Sequence, residues 1–272
     1  MSGLDQFYTI DNIAKKCYEK AKDTVDMKKF DIILEPSAGK GAFFKLFPKD
    51  KRIGLDLDPK DPDTIRQNFF NFECEPGKKY IVIGNPPFGK SCSMAVKFFN
   101  YAAKFSDVIC FIIPRTFKRT SIQNKLDLNF KLVYTNDLPI EPCCFEPKMS
   151  AKCCFQIWKK ESVKRKIIIY DKTHPDFEFI KFGSRDINNQ PTVPIGADFA
   201  LKAYGSNCGE IIENMENLRP KSWHFIKSNI GVSLLKARFK KIDYSISKDS
   251  CRQDSLGKCE LIYLYKNLNN AL

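Results

Sequence analysis

The chain of 272 residues carries 45 Lys and Arg against 32 Asp and Glu, a net charge of +13, and 43% of it is apolar. That length suits one large domain, or one domain with a small companion, and the apolar share excludes a mostly disordered chain. No run approaches the roughly 20 apolar residues of a membrane span, and the opening "MSGLDQFYTIDNIAKK" lacks the apolar segment of a secretory signal. The expected setting is therefore intracellular, in cytoplasm or nucleoid. The excess positive charge points to a polyanionic partner, most simply nucleic acid. The 11 cysteines are odd in number and contain no Cys-x-x-Cys pair, so they read as reduced thiols. In the doublets Cys143-Cys144 and Cys153-Cys154, neighbouring strand residues point to opposite faces and do not hold one ion together, so no metal is expected.

Along the chain, Asp11 is placed to cap a helix that buries Ile13, Ala14, Cys17, Tyr18 and Ala21. "FDIILE" (30–35) is a short apolar run that suits a buried strand. A glycine-bearing turn and a second helix follow it. "KRIGLDL" (51–57), "YIVIG" (80–84) and "DVICFIIP" (107–114) are strands of the same style, without the polar alternation of a half-exposed sheet. Between the last two, Ala95, Phe98, Phe99 and Ala102 recur at helical spacing. A helix-like segment follows Pro114. "FKLVYT" (130–135) and "KCCFQIW" (152–158), joined without a helix, predict an antiparallel hairpin at the sheet edge. This order predicts a doubly wound α/β fold with a mostly parallel, Rossmann-like sheet. Residues 1–160 form the main domain. Residues 161–272 form a small, less regular C-terminal region with strand-like runs at 167–171 and 177–183, a candidate for target recognition.

The stretch "YIVIGNPPFGKS" (80–91) supports two chemistries. Gly84 to Ser91 fits G-x-x-x-x-G-K-[ST], a loop that aims backbone N–H groups at phosphate oxygens. Pro86 and Pro87 have no N–H, so that cradle lacks two donors in its middle. The same prolines favour the other chemistry. They hold Asn85 extended, so the Asn85 side-chain oxygen and the Pro86 carbonyl form two fixed acceptors. Two such acceptors grip the hydrogens of an exocyclic amine, and Phe88 can stack on the ring that carries it. Lys90-Ser91 then reads as the opening of the next helix.

An amine poised in this way needs an electrophile. Upstream, "EPSAGKG" (35–41) follows a strand, and its glycines permit a tight turn and close ligand approach. The next strand ends "GLDLDP". There Asp56, with Asp58 as second choice, is placed to bind ribose hydroxyls.

These segments together resemble the S-adenosylmethionine-dependent amino-methyltransferases, in particular the N6-adenine DNA methyltransferases of bacteria, phages and large DNA viruses. The likeness runs from residue 5 to about 160. It implies that S-adenosylmethionine is the cofactor and that the sheet is of the methyltransferase type. "DQFYT" resembles the family's N-terminal cofactor motif, which assigns Tyr8 and Thr9. "EPSAGKG" resembles the methionine-binding motif and assigns Glu35, Ser37, Gly39 and Gly41. "QNFFNF" (67–72) resembles the segment at the cofactor adenine and assigns Asn68 and Phe69. "NPPF" assigns Asn85, Pro86, Pro87 and Phe88 to catalysis, with Asn85 also bordering the cofactor. "CCFEPKMSAKCCFQIW" resembles the hairpin that packs an aromatic on a flipped base, which assigns Phe145. The substrate so implied is the adenine N6 amine of nucleic acid, DNA before RNA. The basic runs at 159–166 and 236–241 are expected at phosphates, and a protein partner is a possible source of target specificity. Three other readings stay open on sequence: an RNA adenine or guanine amino-methyltransferase, a protein glutamine methyltransferase, and a non-catalytic nucleic-acid-binding subunit.

Overall fold

The chain divides into two units, Met1–Ile167 and Ile168–Leu272. The computed structural model describes residues 7–181, 187 and 192–270. Asp5 and Gln6 of the N-terminal motif, and the end of the strand expected at 177–183, lie outside the described residues.

The first unit runs β1 (Tyr8–Thr9), α1 (Asp11–Thr24), β2 (Ile32–Glu35), β3 (Arg52–Asp56), β4 (Ile65–Arg66), β5 (Tyr80–Gly84), α2 (Ser93–Ala102), β6 (Ser106–Pro114), α3 (Thr120–Gln123), β7 (Phe130–Asp137), β8 (Phe145–Glu146) and β9 (Cys153–Lys160). Its seven-stranded sheet has the order β4-β3-β2-β5-β6-β9-β7. The first five strands are parallel, and β9 lies antiparallel between β6 and β7. This is the Rossmann-like α/β sheet with an antiparallel hairpin at its edge. The reason lies in the strands themselves. All five residues of β5 are buried, as are eight of the nine in β6, as both-face coverage requires. Helix α2 buries Ala95, Phe98, Phe99 and Ala102, the four residues that helical spacing selects. Phe99 meets Trp158 of β9 edge to face at 5.4 Å, and Phe98 stacks on Phe69 at 5.0 Å.

Three local expectations are corrected. Asp11 does not cap α1. The cap is Ile10, whose own N–H donates to the Cys144 carbonyl at 3.1 Å, so Asp11 falls in the first turn, where its charge still favours the helix N-terminus. No α-helix follows the glycine turn after β2. Only a 3₁₀ turn, Phe44–Leu46, forms there, because Pro48 holds Phe47 extended and ends the segment after one turn. Residues 167–171, expected as a strand, have no regular structure, and Ile169 is exposed.

The second unit has its own antiparallel sheet. β10 (Phe177–Ile180), β11 (Phe199–Lys202), β12 (Ile211–Ile212) and β13 (Trp223–Ser228) lie in the order β10-β13-β11-β12, with helices α4 (Val232–Phe239) and α5 (Lys258–Lys266). Phe177, Phe199, Leu201, Ile226, Leu235 and Phe239 build its core. The C-terminal region thus carries an apolar centre of its own.

His224 in β13 places Nε2 2.8 Å from the Leu256 carbonyl. Burial lowers its pKa from 6.5 to about 4, with Lys258 adding to the fall and the carbonyl opposing it. Between those values the unfolded chain binds the proton and the folded chain does not. The stability held by the neutral ring is therefore complete above pH 6.5 and is lost as pH falls towards 4, to the extent of about 3 kcal/mol. Denaturant unfolding at pH 7.5 and pH 5 should show about 2 kcal/mol of this loss, and His224→Gln should shrink it.

Candidate active site

The parallel strands end together at one rim of the sheet. Glu35 closes β2, Asp56 closes β3 and Gly84 closes β5. The chain runs outward from β2 through β3 and β4 in one direction, and from β5 to β6 in the other. The gap between β2 and β5 is thus the point where strand order reverses, and ligands of open α/β sheets bind there. A cavity occupies this point. Tyr8, Thr9, Glu35, Ser37, Gly39 and Asn85 all border it, so six of the expected site residues come together. Phe7, Lys40 and Phe43 border it too.

The glycine loop leaves its strand and turns over Asp56. The Gly39 N–H donates to Asp56 Oδ2 at 2.7 Å, and the Asp58 N–H donates to Oδ1 at 2.8 Å. One carboxylate thus clamps two backbones, and Asp56, expected at the ribose hydroxyls, lies behind the loop and does not itself border the cavity. Asp58 instead pairs with Lys60 at 2.5 Å. Gly39 has φ +53°, and a Cβ there would lie 2.7 Å from the Tyr8 ring, so no side chain fits between the loop and β1. Gly41, at φ +79°, turns the chain back through its N–H to the Ala38 carbonyl at 2.7 Å.

Glu35 is buried, and its Oε2 accepts from the Phe44 N–H at 2.7 Å. Burial pushes its carboxyl well above the ordinary range. The Phe44 N–H opposes the rise, and the Asp56 charge adds to it. The folded state then holds a proton that the unfolded chain releases above about pH 4.5, so this site loses stability as pH rises through that range. Glu35→Gln keeps an acceptor for Phe44 and has no charge to bury. Melting temperature followed from pH 4.5 upward should fall less steeply in the variant than in the parent chain.

The NPPF turn joins this cavity through Asn85. Its backbone carbonyl accepts from Ser37 Oγ at 2.9 Å, and its Nδ2 donates to the Phe7 carbonyl at 3.3 Å. Asn85 Oδ1 is buried without a partner, and so is Thr9 Oγ1. Both residues border the cavity, and buried polar atoms of this kind call for a hydrogen-bond partner. Beyond Asn85, Pro86 is buried, Pro87 exposed and Phe88 half-buried. The Phe88 carbonyl accepts from the N–H groups of Met94 and Ala95, which ties the turn to α2. Between them Gly89, Ser91 and Cys92 all have positive φ, so Lys90-Ser91 forms a kinked 3₁₀ turn and α2 begins only at Ser93. The left-handed non-glycine residues Ser91 and Cys92 store backbone strain beside the turn.

Other expected residues take different places. Phe145 is 3% exposed and pairs with Thr9 in the β1–β8 ribbon, so its ring presents no open face for stacking. Phe69 is a core residue against Phe98. Asn68 is exposed at the rim, and its Oδ1 caps the 3₁₀ turn by accepting from the Phe70 N–H at 3.0 Å. Antiparallel β9 carries the 159–166 run to the opposite rim, about 20 Å from the NPPF turn at strand rise. There Lys159 donates to the Thr24 carbonyl and Arg165 to the Phe130 carbonyl. In the second unit, Lys236 pairs with Glu213 and Arg238 with Asp176, while Lys240 and Lys241 are exposed. Sequence reasoning missed Phe7, Lys40 and Glu146. Lys40 pairs with Glu146 at 3.2 Å and lies 5.1 Å over the Tyr8 ring. No local signal marks them, because they meet through a two-residue ribbon joining distant segments. Among the described residues, no helix is long and apolar enough to cross a membrane, and no group of three or more His, Cys, Asp or Glu is placed to hold a metal.

No protein-family model and no curated protein matches the chain. Among solved structures it is similar to the 23S rRNA methyltransferase ErmE, at 14% identity and TM-score 0.42, over 58% of this chain and 71% of that one. It is similar to a dimethyladenosine transferase from Plasmodium falciparum, at 15% and 0.40, over 56% of this chain and 62% of that one. It is also similar to a type I restriction-modification methyltransferase subunit from Streptococcus thermophilus, at 13% and 0.41, over 70% of this chain and 50% of that one. At these values the reading of the site rests on its own geometry.

Proposed function

We propose that the chain is an S-adenosylmethionine-dependent methyltransferase that modifies the N6 amine of adenine in nucleic acid, with DNA as the favoured substrate. The observation that carries this reading is the pair of unpartnered atoms, Asn85 Oδ1 and Thr9 Oγ1, on the wall of a cavity closed by a glycine loop and an NPPF turn.

The residues present fit the cofactor. Gly39 leaves no Cβ against the Tyr8 ring, so the loop closes on β1 at the cavity, and Thr9 offers a hydroxyl with no other task. Asp56 lies behind the loop with a half-buried carboxylate, suited to ribose hydroxyls. Buried Glu35, whose carboxyl is pushed up by burial, borders the cavity, where a positively charged ligand group would favour its ionised form. When bound, S-adenosylmethionine supplies an electrophilic methyl group on a sulfonium centre.

The chain's part is to hold the acceptor amine. An adenine amine is a weak nucleophile because its lone pair is delocalised into the ring. Asn85 Oδ1 and the Pro86 carbonyl accept its two hydrogens, draw the nitrogen towards tetrahedral geometry and localise the lone pair. Phe88, half-buried at the tip of the turn, stacks on the base and faces the charge that develops on nitrogen. The buried setting strengthens these contacts, and they are in place before the reaction. The net charge of +13 suits a polyanionic substrate whose target base leaves its stack to reach this turn.

Asn85→Ala removes the side-chain acceptor and leaves both prolines and the glycine turn. Methyl transfer to adenine-containing DNA should fall by at least about a hundredfold, with the fold intact. Lys90→Ala should have a small effect, since Lys90 is exposed and has no part in holding the amine. A phosphate loop would show the reverse pattern, with Lys90 essential for ATP hydrolysis. Normal methylation by Asn85→Ala would overturn the mechanism.

Asp56→Ala should weaken S-adenosylmethionine binding by roughly 2–3 kcal/mol, because it removes both the loop clamp and the acceptors for ribose. Titration calorimetry reads this directly, and an unchanged affinity would exclude Asp56 from the site.

A further inference from the structure

Only one end of a carboxamide can grip an amine. With Oδ1 towards the cavity, Asn85 accepts from an amine. With Nδ2 there, it donates and repels one. The choice is made by Phe7, whose carbonyl accepts from Nδ2 at 3.3 Å and so leaves Oδ1 as the unpartnered end. Phe7 leads directly into β1, two residues long. Its partner is β8, with Tyr8 opposite Glu146 and Thr9 opposite Phe145, and the Ile10 N–H extends the pairing to the Cys144 carbonyl. A ribbon this short has little stability of its own. It is tied to the glycine loop by Lys40, which lies between Gly39 and Gly41, pairs with Glu146 on β8 at 3.2 Å and sits over the Tyr8 ring on β1. One lysine thus touches both strands.

We propose that Lys40 and Glu146 are positioning residues for the transfer. Their ion pair latches the ribbon over the cavity and, through the Phe7 carbonyl, aims the Asn85 oxygen at the acceptor amine. This rests on the reading of Asn85 as the group that holds the amine. Two consequences follow. A ligand in the cavity touches the ribbon through Tyr8 and Thr9 and the loop through Gly39, so cofactor occupancy and the aim of Asn85 are coupled. An open ribbon frees the amide to turn, so the preference for an amino group over a ring carbonyl is set by ribbon closure.

Both side chains are more than half exposed, so the pair is screened by salt and its effect is severalfold rather than a thousandfold. Lys40→Glu, Glu146→Lys and the double exchange test it in the full chain. In ligand-free protein at low salt, the Ile10 amide should exchange its hydrogen about three- to fivefold faster in each single variant and return to the parental rate in the double variant. Single-turnover methyl transfer at saturating S-adenosylmethionine should fall by a similar factor in the single variants and recover in the exchange, with melting temperatures unchanged. A merely structural role would move the melting temperature and leave that rate alone. Unchanged exchange in the single variants would overturn the latch. Faster exchange with unchanged transfer would overturn the positioning role. Faster exchange in a protein whose parent neither binds S-adenosylmethionine nor transfers methyl would overturn the proposed function while leaving the latch in place.

Discussion

A single carboxamide with one end satisfied and the other open is the constraint that the site depends on. Asn85 is held by its backbone carbonyl to Ser37, by its Nδ2 to Phe7, and by the fully buried strand β5 behind it. Its oxygen is left buried and unpaired. A buried acceptor without a partner destabilises the fold by about 1–3 kcal/mol. The contacts to Ser37 and Phe7 hold it in place despite that cost. The two prolines add stiffness on the far side, so the turn is held in one shape.

The rim of the sheet divides the work. On the β2–β3 side, Asp56 gathers the glycine loop and the backbone of Asp58, and Glu35 anchors the 3₁₀ turn through Phe44. These contacts shape a wall. On the β5 side, the NPPF turn projects, with Pro87 exposed and Phe88 half-buried. The wall suits a ligand gripped along its length, and the projecting turn suits a group that enters from outside. The ribbon of β1 and β8 closes over the junction and contributes the second unpaired oxygen, that of Thr9.

Much of this was legible in the residues. The apolar runs of β5 and β6, and the four residues of α2 at helical spacing, depend on local pattern and burial on both faces, so they appear in the structure where expected. The antiparallel hairpin followed from a connection too irregular for a helix. The glycine loop and NPPF turn met at one cavity because parallel strands bring their C-terminal ends to one rim. What local pattern could not show was the ribbon. Tyr8-Thr9 and Phe145-Glu146 are too short to signal a strand, and their pairing decides that Phe145 is buried, that Ile10 rather than Asp11 caps α1, and that Phe7 faces Asn85. The helix expected after Gly41 failed for a nearer reason, since Pro48 leaves room for one turn. The rim at which the basic run at 159–166 lies depends on the direction of β9, which composition does not carry.

The most direct test of the central claim is to incubate the protein with methyl-labelled S-adenosylmethionine and separate pools of DNA, RNA and protein, digest each, and identify the labelled product by mass spectrometry. The account predicts label in N6-methyladenine from the DNA digest. Label confined to glutamine of the protein pool, or absent from all three, would contradict it.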